Sequence, residues 1–165
     1  MAAMAAVTRR YQDLTGEITR LDTALDQLVG QTAPPQFLAL QAVATQTAAA
    51  LITAAGDNPG RLRTQASFAA LCGASPVDAS SGKQERHQLN RGGDRQANSA
   101  PYRIALVRMS HDPRTRDYVA RRIADGKTRK EIIRCLKRYV AREIYKTLIR
   151  PAHKPAHPTI PQETA

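Results

Sequence analysis

The N-terminal segment carries an apolar residue at every third or fourth position. These residues are Met4, Val7, Tyr11, Leu14, Ile18, Leu21, Leu25 and Leu28. Steps that alternate between three and four fill the a and d positions of four heptads, a pattern typical of a coiled coil. Gly30 is expected to end the helix. We therefore predict a coiled-coil helix over residues 1–30 that associates with a second copy or a partner. The alternative is a single amphipathic helix lying along its own domain.

The middle of the chain predicts several shorter helices. A linker at residues 31–36 contains Pro34 and Pro35, which cannot continue a helix. Residues 37–55 are apolar and rich in Ala, so they predict one or two buried helices. A short helix capped by Thr64 or Ser67 is expected to run to about Cys72 and to end at Gly73.

Three more helices are expected towards the C-terminus. The first should begin with Pro101 in its first turn, and the second should be a short amphipathic helix that ends at Gly126. The third runs from about Arg129 to Leu148, with one apolar side and one basic side. Its basic residues include Lys130, Arg134, Lys137, Arg138 and Arg142. This face could contact a phosphate backbone, although it could also be an ordinary solvated surface.

These patterns predict an all-α fold: an N-terminal coiled-coil helix followed by a small helical domain over residues 37–150. The domain contains a basic loop rich in Gly, Ser and Arg. Residues 151–165 include four prolines and are expected to be a disordered tail.

The charge of the chain favours a nucleic-acid partner. It has 25 Lys and Arg residues against 14 Asp and Glu, a formal net charge of +11. An anionic membrane surface could also attract such a protein. No stretch is long and apolar enough to span a membrane.

With only Cys72 and Cys135, and no neighbouring His or Cys at ligand spacing, neither a disulfide framework nor a zinc site is expected. No signal peptide is evident, so we expect a cytoplasmic protein.

The segment Asp78 to Asn98 has no apolar rhythm and is the strongest candidate for chemistry. A serine such as Ser80 or Ser81 can attack a phosphodiester when positive charge stabilises the phosphate. Gly82 leaves room for close backbone approach. The cations nearby are Lys83, Arg86, Arg91 and Arg95. The same composition also suits a flexible solvated loop without catalytic function. Acidic residues show no metal-binding spacing, so we expect no metal site and no cofactor within this chain.

Residues Phe68 to Met109 resemble the C-terminal serine domain of the bacterial insertion-sequence 110/116/902 transposases. The resemblance rests on "FAA", Gly73, Pro76, Ser81, Gly82 and the "RGGD" element at residues 91–94. It extends to nearly the whole chain up to Ile149, including the heptad helix, which is similar to the coiled coil of the family.

The resemblance implies that Ser81 is the nucleophile in DNA cleavage and strand exchange, which proceeds through a phosphoserine. It also implies DNA and a structured guide RNA as partners, and association with another copy or a full-length transposase through the coiled coil. Lys83, Arg86, Arg91, Arg95 and the basic face of the last helix would then contact nucleic acid.

The sequence departs from the family in two ways. Family members carry an RNase H-like domain upstream of the coiled coil, whose acidic residues bind Mg²⁺, and this sequence begins inside the coiled coil. The family's Pro-Gly-x-Gly hairpin turn corresponds to Gln41, Ala42, Val43 and Ala44, which lack both glycines. We therefore expect a truncated transposase that is inactive unless an acidic domain is supplied in trans. The alternatives are a non-catalytic or interfering nucleic-acid-binding module and an inert remnant.

Overall fold

Helices form almost all of the regular structure in the computed structural model, which describes residues 2–56, 59–78, 87–88 and 90–150. The helices are α1 (Ala2–Thr32), α2 (Pro35–Leu38), α3 (Thr45–Ala55), α4 (Gln65–Leu71), α5 (Arg95–His111), α6 (Pro113–Ala124) and α7 (Arg129–Ile144). A 3₁₀ turn covers Pro59–Arg61, and a π-helical segment, Tyr145–Ile149, continues α7. Two short strands, β1 (Val77–Asp78) and β2 (His87–Gln88), pair within the predicted loop. The all-α fold is confirmed. The expected tail, residues 151–165, lies outside the described residues.

The main core is formed where α3, α5 and α7 pack together. Phe37, Leu51, Phe68, Ile104 and Ile144 are fully buried there. Small residues on α3 and α5 allow the two helix backbones to approach closely; they include Ala48, Ala97 and Ala100, all buried. This composition explains how a chain with 4% aromatic residues still forms a core.

A second, smaller cluster joins α6 to the middle of α5 and the beginning of α7. Ala105, Ile132 and Leu136 form its buried part, with partly buried residues of α6 against them. The rings of Tyr118 and Tyr139 meet edge to face, with centroids 5.9 Å apart. The basic helix α6 is therefore fixed against α7.

α1 is longer than the sequence predicted, and it projects from the domain. Gly30 does not end the helix, which continues to Thr32; the break coincides with Pro34 and Pro35. Only its C-terminal part, with Leu25 and Val29, packs against the core. The remaining seam residues are 40% to 72% exposed. The alternative of a helix lying along its own domain is therefore wrong for most of α1, while the coiled coil stays a prediction.

α5 begins before the predicted position, at Arg95 rather than near Pro101. The Asp94 side chain accepts a hydrogen bond from the backbone N–H of Ala97 at 2.7 Å and so caps the helix. Pro101 lies buried inside α5, where it cannot donate a backbone hydrogen bond. The predicted boundaries of the other late helices are close: Asp112 caps α6, and Thr128 and Glu131 form a capping box on α7.

The connection between α2 and α3 keeps a conformation that glycine normally adopts. Ala42, which corresponds to the first glycine of the family's hairpin turn, has a φ of 66°. The Gln41 carbonyl accepts a hydrogen bond from the Arg108 guanidinium at 3.0 Å, which ties the turn to α5. The turn is thus held by tertiary contacts although its sequence lacks the glycines.

Replacing Ala42 with glycine should stabilise the fold. The left-handed conformation costs an L-residue about 1–2 kcal/mol, whereas the extra backbone entropy of glycine costs roughly 0.5–1 kcal/mol. We expect Ala42→Gly to raise the free energy of unfolding by about 0.5 kcal/mol, measured by urea denaturation. Ala39→Gly is the matched control, because Ala39 has a φ of −74° and should only lose stability. Equal losses in both variants would show that Ala42 is not strained.

Candidate active site and nucleic-acid interface

The candidate serine lies on the connection between two paired strands. β1 and β2 are antiparallel, with Val77 opposite Gln88 and Asp78 opposite His87. Residues 79–86, which connect them, are outside the described residues; they include Ser80, Ser81, Lys83 and Arg86. The structure therefore describes the base of this hairpin but does not locate the serines. We call the connection and its two strands the serine hairpin.

Two glycines bring the polypeptide before the hairpin against the polypeptide after it. Gly73 ends α4 with a φ of 56°, and a Cβ there would lie 2.6 Å from Asn98 Nδ2 and 3.1 Å from the Gly92 carbonyl oxygen. Gly93 has a φ of 90°, and a Cβ there would collide with the Leu71 oxygen and lie 2.5 Å from the Ala70 oxygen. At Gly93 only glycine fits without movement of the backbone, and at Gly73 any other residue would have to displace the Asn98 side chain and adopt a left-handed conformation.

Backbone and side-chain hydrogen bonds fix the same contact. The Asp94 N–H donates to the Leu71 carbonyl at 2.9 Å, which joins the start of α5 to the end of α4. The Gly92 N–H donates to Asn90 Oδ1 at 2.8 Å and so shapes the residues that leave the hairpin. The base of the serine hairpin is therefore held by the ends of two helices.

A buried polar group lies beneath this base and involves α7. Lys137 is 6% exposed, and its amine donates a hydrogen bond to Asn98 Oδ1. Cys72 is fully buried beside it; burial raises the pKa of its thiol to about 12, although the Lys137 charge opposes the rise. Burial also lowers the pKa of Lys137. The Cys72 thiol is thus protonated at neutral pH.

Lys137 therefore departs from the basic face predicted for the last helix. It lies on the apolar stripe of α7, because its position continues the spacing of three and four through Ile133, Val140 and Ile144. That spacing was visible in the sequence and could have indicated burial.

The other predicted cations that the structure describes form two groups. Arg91 and Arg95 are exposed where the chain leaves the serine hairpin and enters α5. On α7, Lys130 and Arg142 are exposed, and Arg134 and Arg138 are half-buried. Lys137 lies between Arg134 and Arg138 in sequence. Because the Lys137 amine contacts Asn98 at the hairpin base, α7 runs beside that base.

Two sequence comparisons show what this chain is similar to. Residues 36–120 match the sequence model of the family described as Transposase IS116/IS110/IS902. The chain belongs to this transposase family. The matched region runs from α2 to α6 and contains the serine hairpin. In Streptomyces coelicolor, the "Insertion element IS110 uncharacterized 43.6 kDa protein" is 30% identical over 128 residues, which are 77% of this chain. The chain spans 30% of the length of that relative.

This transposase chain carries further arginines that sequence reasoning did not select. Arg114, Arg116 and Arg121 are exposed on α6, which is fixed against α7 by the second cluster. Their density within one short helix was the available signal. Arg108 has a different role: it donates to the Gln41 carbonyl and, at 2.6 Å, to Glu143. It therefore links the turn between α2 and α3 to α5 and α7.

Four carboxylates of this transposase chain serve local structure. Asp94 and Asp112 cap helices, Glu131 completes the capping box of α7, and Asp125 pairs with Arg122 at 3.1 Å. Among the residues that the structure describes, no three His, Cys, Asp or Glu side chains are grouped to hold a metal ion. In the same residues, no helix is long and apolar enough to cross a membrane.

Proposed function

We propose that this chain binds DNA and supplies Ser81 as the nucleophile for strand cleavage and exchange in transposition. The observation that carries the proposal is the family match over residues 36–120, which includes Ser81 and the serine hairpin. The two glycines that hold the hairpin base support it, because a nucleophile must be held in a defined geometry relative to its substrate.

The chemistry proposed for Ser81 is a reversible exchange of phosphodiester bonds. Its hydroxyl oxygen attacks the phosphorus of a DNA strand, and the bond from phosphorus to one deoxyribose oxygen breaks. The serine loses its hydroxyl proton as the bond to phosphorus forms, and the departing deoxyribose oxygen takes up a proton, so the products are a phosphoserine linked to one DNA end and a free hydroxyl on the other. Attack by a DNA hydroxyl on the phosphoserine reverses the reaction and joins new ends, so the bond energy is conserved.

The cations near the hairpin would bind the phosphates on either side of the reaction. Lys83 and Arg86 follow the serines in sequence, and Arg91 and Arg95 are exposed at the exit of the hairpin. The exposed cations of α7 and α6 would extend this surface along the duplex. The net charge of +11 supports such binding. A structured guide RNA, which the family resemblance implies, would be a second anionic partner of the same surface.

Mg²⁺ does not fit the described part of this chain. Asp94, Asp112 and Glu131 are occupied in helix caps, and they are not grouped with other ligands. We propose that any Mg²⁺ is held by an acidic RNase H-like domain outside this sequence. The same observation favours a second candidate function, in which the chain binds nucleic acid without cleaving it.

A covalent adduct is the direct test of the serine chemistry. We expect a protein–DNA adduct on a denaturing gel when the chain is incubated with insertion-element end DNA, magnesium and a full-length relative whose own serine is replaced by alanine. Ser81→Ala in this chain should abolish the adduct, and Ser80→Ala, the matched control, should retain it. An adduct that persists in Ser81→Ala would refute the assignment, and its absence from the unmodified chain would leave the binding function.

The exposed seam of α1 supports self-association as part of the proposed function. An isolated helix that exposes seven large apolar residues at heptad spacing would gain stability by burying them against a second copy.

Charge placed in the seam should separate the copies. We expect the double variant Ile18→Glu and Leu21→Glu to be monomeric in sedimentation analysis at a concentration where the unmodified chain is oligomeric. Thr23→Glu is the control, because Thr23 is exposed and lies outside the a and d positions. A chain that is monomeric without any substitution would contradict coiled-coil association.

The basic surface of α7 should be visible in the salt dependence of binding. We expect the triple change of Lys130, Arg134 and Arg142 to Gln to reduce the slope of log affinity against log salt by about 0.9 for each phosphate that α7 no longer neutralises. The triple change of Arg9, Arg10 and Arg20 to Gln on α1 removes the same charge and should leave most of the slope intact. Equal slopes for both triple variants would show that α7 contributes only to the net charge.

A further inference from the structure

The buried Lys137 amine joins α7 to the base of the serine hairpin through one side chain. Its hydrogen bond to Asn98 Oδ1 connects α7 with the first turns of α5. The same Asn98 side chain lies against Gly73, at the point where Gly73 approaches the Gly92 carbonyl. One continuous contact therefore runs from Lys137 through Asn98 to Gly73 and Gly92.

The chemistry of the two side chains determines the orientation of the Asn98 amide. An ammonium group can only donate hydrogen bonds, so the amide must present its oxygen to Lys137. Its NH₂ group then lies on the side of Gly73, where a Cβ added to that glycine would be 2.6 Å from Asn98 Nδ2.

The surroundings show that Lys137 is held in place by more than burial. The groups that face its amine are Cys72 at the end of α4 and Asn98 on α5, and Asp94, before α5, acts electrostatically on Cys72. The Lys137 side chain is 6% exposed, so a DNA phosphate cannot reach its amine as it would reach that of an ordinary surface lysine. The buried position of the Lys137 amine suits a contact within the protein rather than a contact with DNA.

We propose that Lys137 is a positioning residue for the serine hairpin. By fixing the Asn98 amide, it holds the segments on either side of the hairpin together and aligns them with the nucleic-acid-binding surface of α7. The proposal concerns the described base of the hairpin, and it rests on the proposed function in one respect: the reaction that this base would serve is the one proposed for Ser81.

Amide hydrogen exchange tests the positioning without any DNA chemistry. In Lys137→Met, which removes the charge but keeps most of the volume, we expect the amides of residues 72–78 and 90–98 to exchange about tenfold faster or more. Protection in α3 should not change. Lys127→Met is the matched control, because Lys127 is exposed and its replacement removes the same charge. No change near the hairpin, or an equal change throughout the domain, would overturn the proposal.

A second variant changes the Asn98 amide while the Lys137 amine keeps a hydrogen-bond acceptor. Asn98→Asp keeps an acceptor for Lys137 and provides an ion pair, but it replaces the NH₂ group on the side of Gly73 with a second acceptor. We expect the same local increase in exchange as in Lys137→Met, although this variant retains the buried charge pair. If Asn98→Asp protects the hairpin base as well as Asn98 does, the amide has no positioning role.

The adduct assay then measures the consequence for chemistry. We expect Lys137→Met to slow adduct formation at saturating DNA about tenfold or more, since displacement of a reacting group by about 1 Å can cost that much. The Kd for DNA should stay within about twofold, with an unchanged salt slope. A raised Kd with a slope reduced by about 0.9 would identify Lys137 as a phosphate contact and overturn the proposal. If the unmodified chain gives no Ser81-dependent adduct, the proposed cleavage fails, and the exchange measurements alone decide the role of Lys137.

Discussion

The close approach of residues 92–94 to the end of α4 is the constraint on which the candidate site depends. At Gly93 the backbone of one segment lies against the carbonyl oxygens of another, and any side chain there would force them apart. The contact closes the serine hairpin at its base. It also sets where α5 begins, because Asp94 bonds to Leu71 through its backbone and caps α5 through its side chain. The closure of the hairpin base and the start of α5 thus have one physical origin.

The packing of α3, α5 and α7 supports this contact. α5 packs against α3 on one side and α7 on the other, so Asn98 can reach Lys137 near the start of α5 while Arg108 reaches Glu143 near its end. A buried lysine is costly unless it is hydrogen-bonded, and a purely structural core would be better served by an apolar residue at this position. Lys137 meets this condition through its hydrogen bond to Asn98 near the start of α5.

Charges are distributed unequally over the described residues, and this distribution favours an anionic partner. Many acidic side chains satisfy helix ends or pair with a neighbouring arginine, so they neutralise local charge and leave exposed arginines and lysines on α6, α7 and the start of α5. α1 differs from the domain helices, since most of its apolar seam residues lie away from the domain and are exposed. The domain and its projecting helix therefore present two distinct surfaces.

The sequence by itself determined what depends on local spacing. The period of α1, the Thr64 cap, the end of α4 at Gly73 and the amphipathic character of α7 follow from contacts between residues a few positions apart, so they could be read directly. The family motif around Ser81 could be recognised in the same way, although the geometry of that serine is not described. Tertiary structure decided the rest: α5 begins at Arg95 because residues 71 and 94 meet, Ala42 adopts a left-handed turn held by Arg108, and the Lys137 amine finds its hydrogen-bond acceptor in Asn98 on another helix. Each of these results depends on partners 20 or more residues away in sequence, and no local pattern encodes which partners will meet.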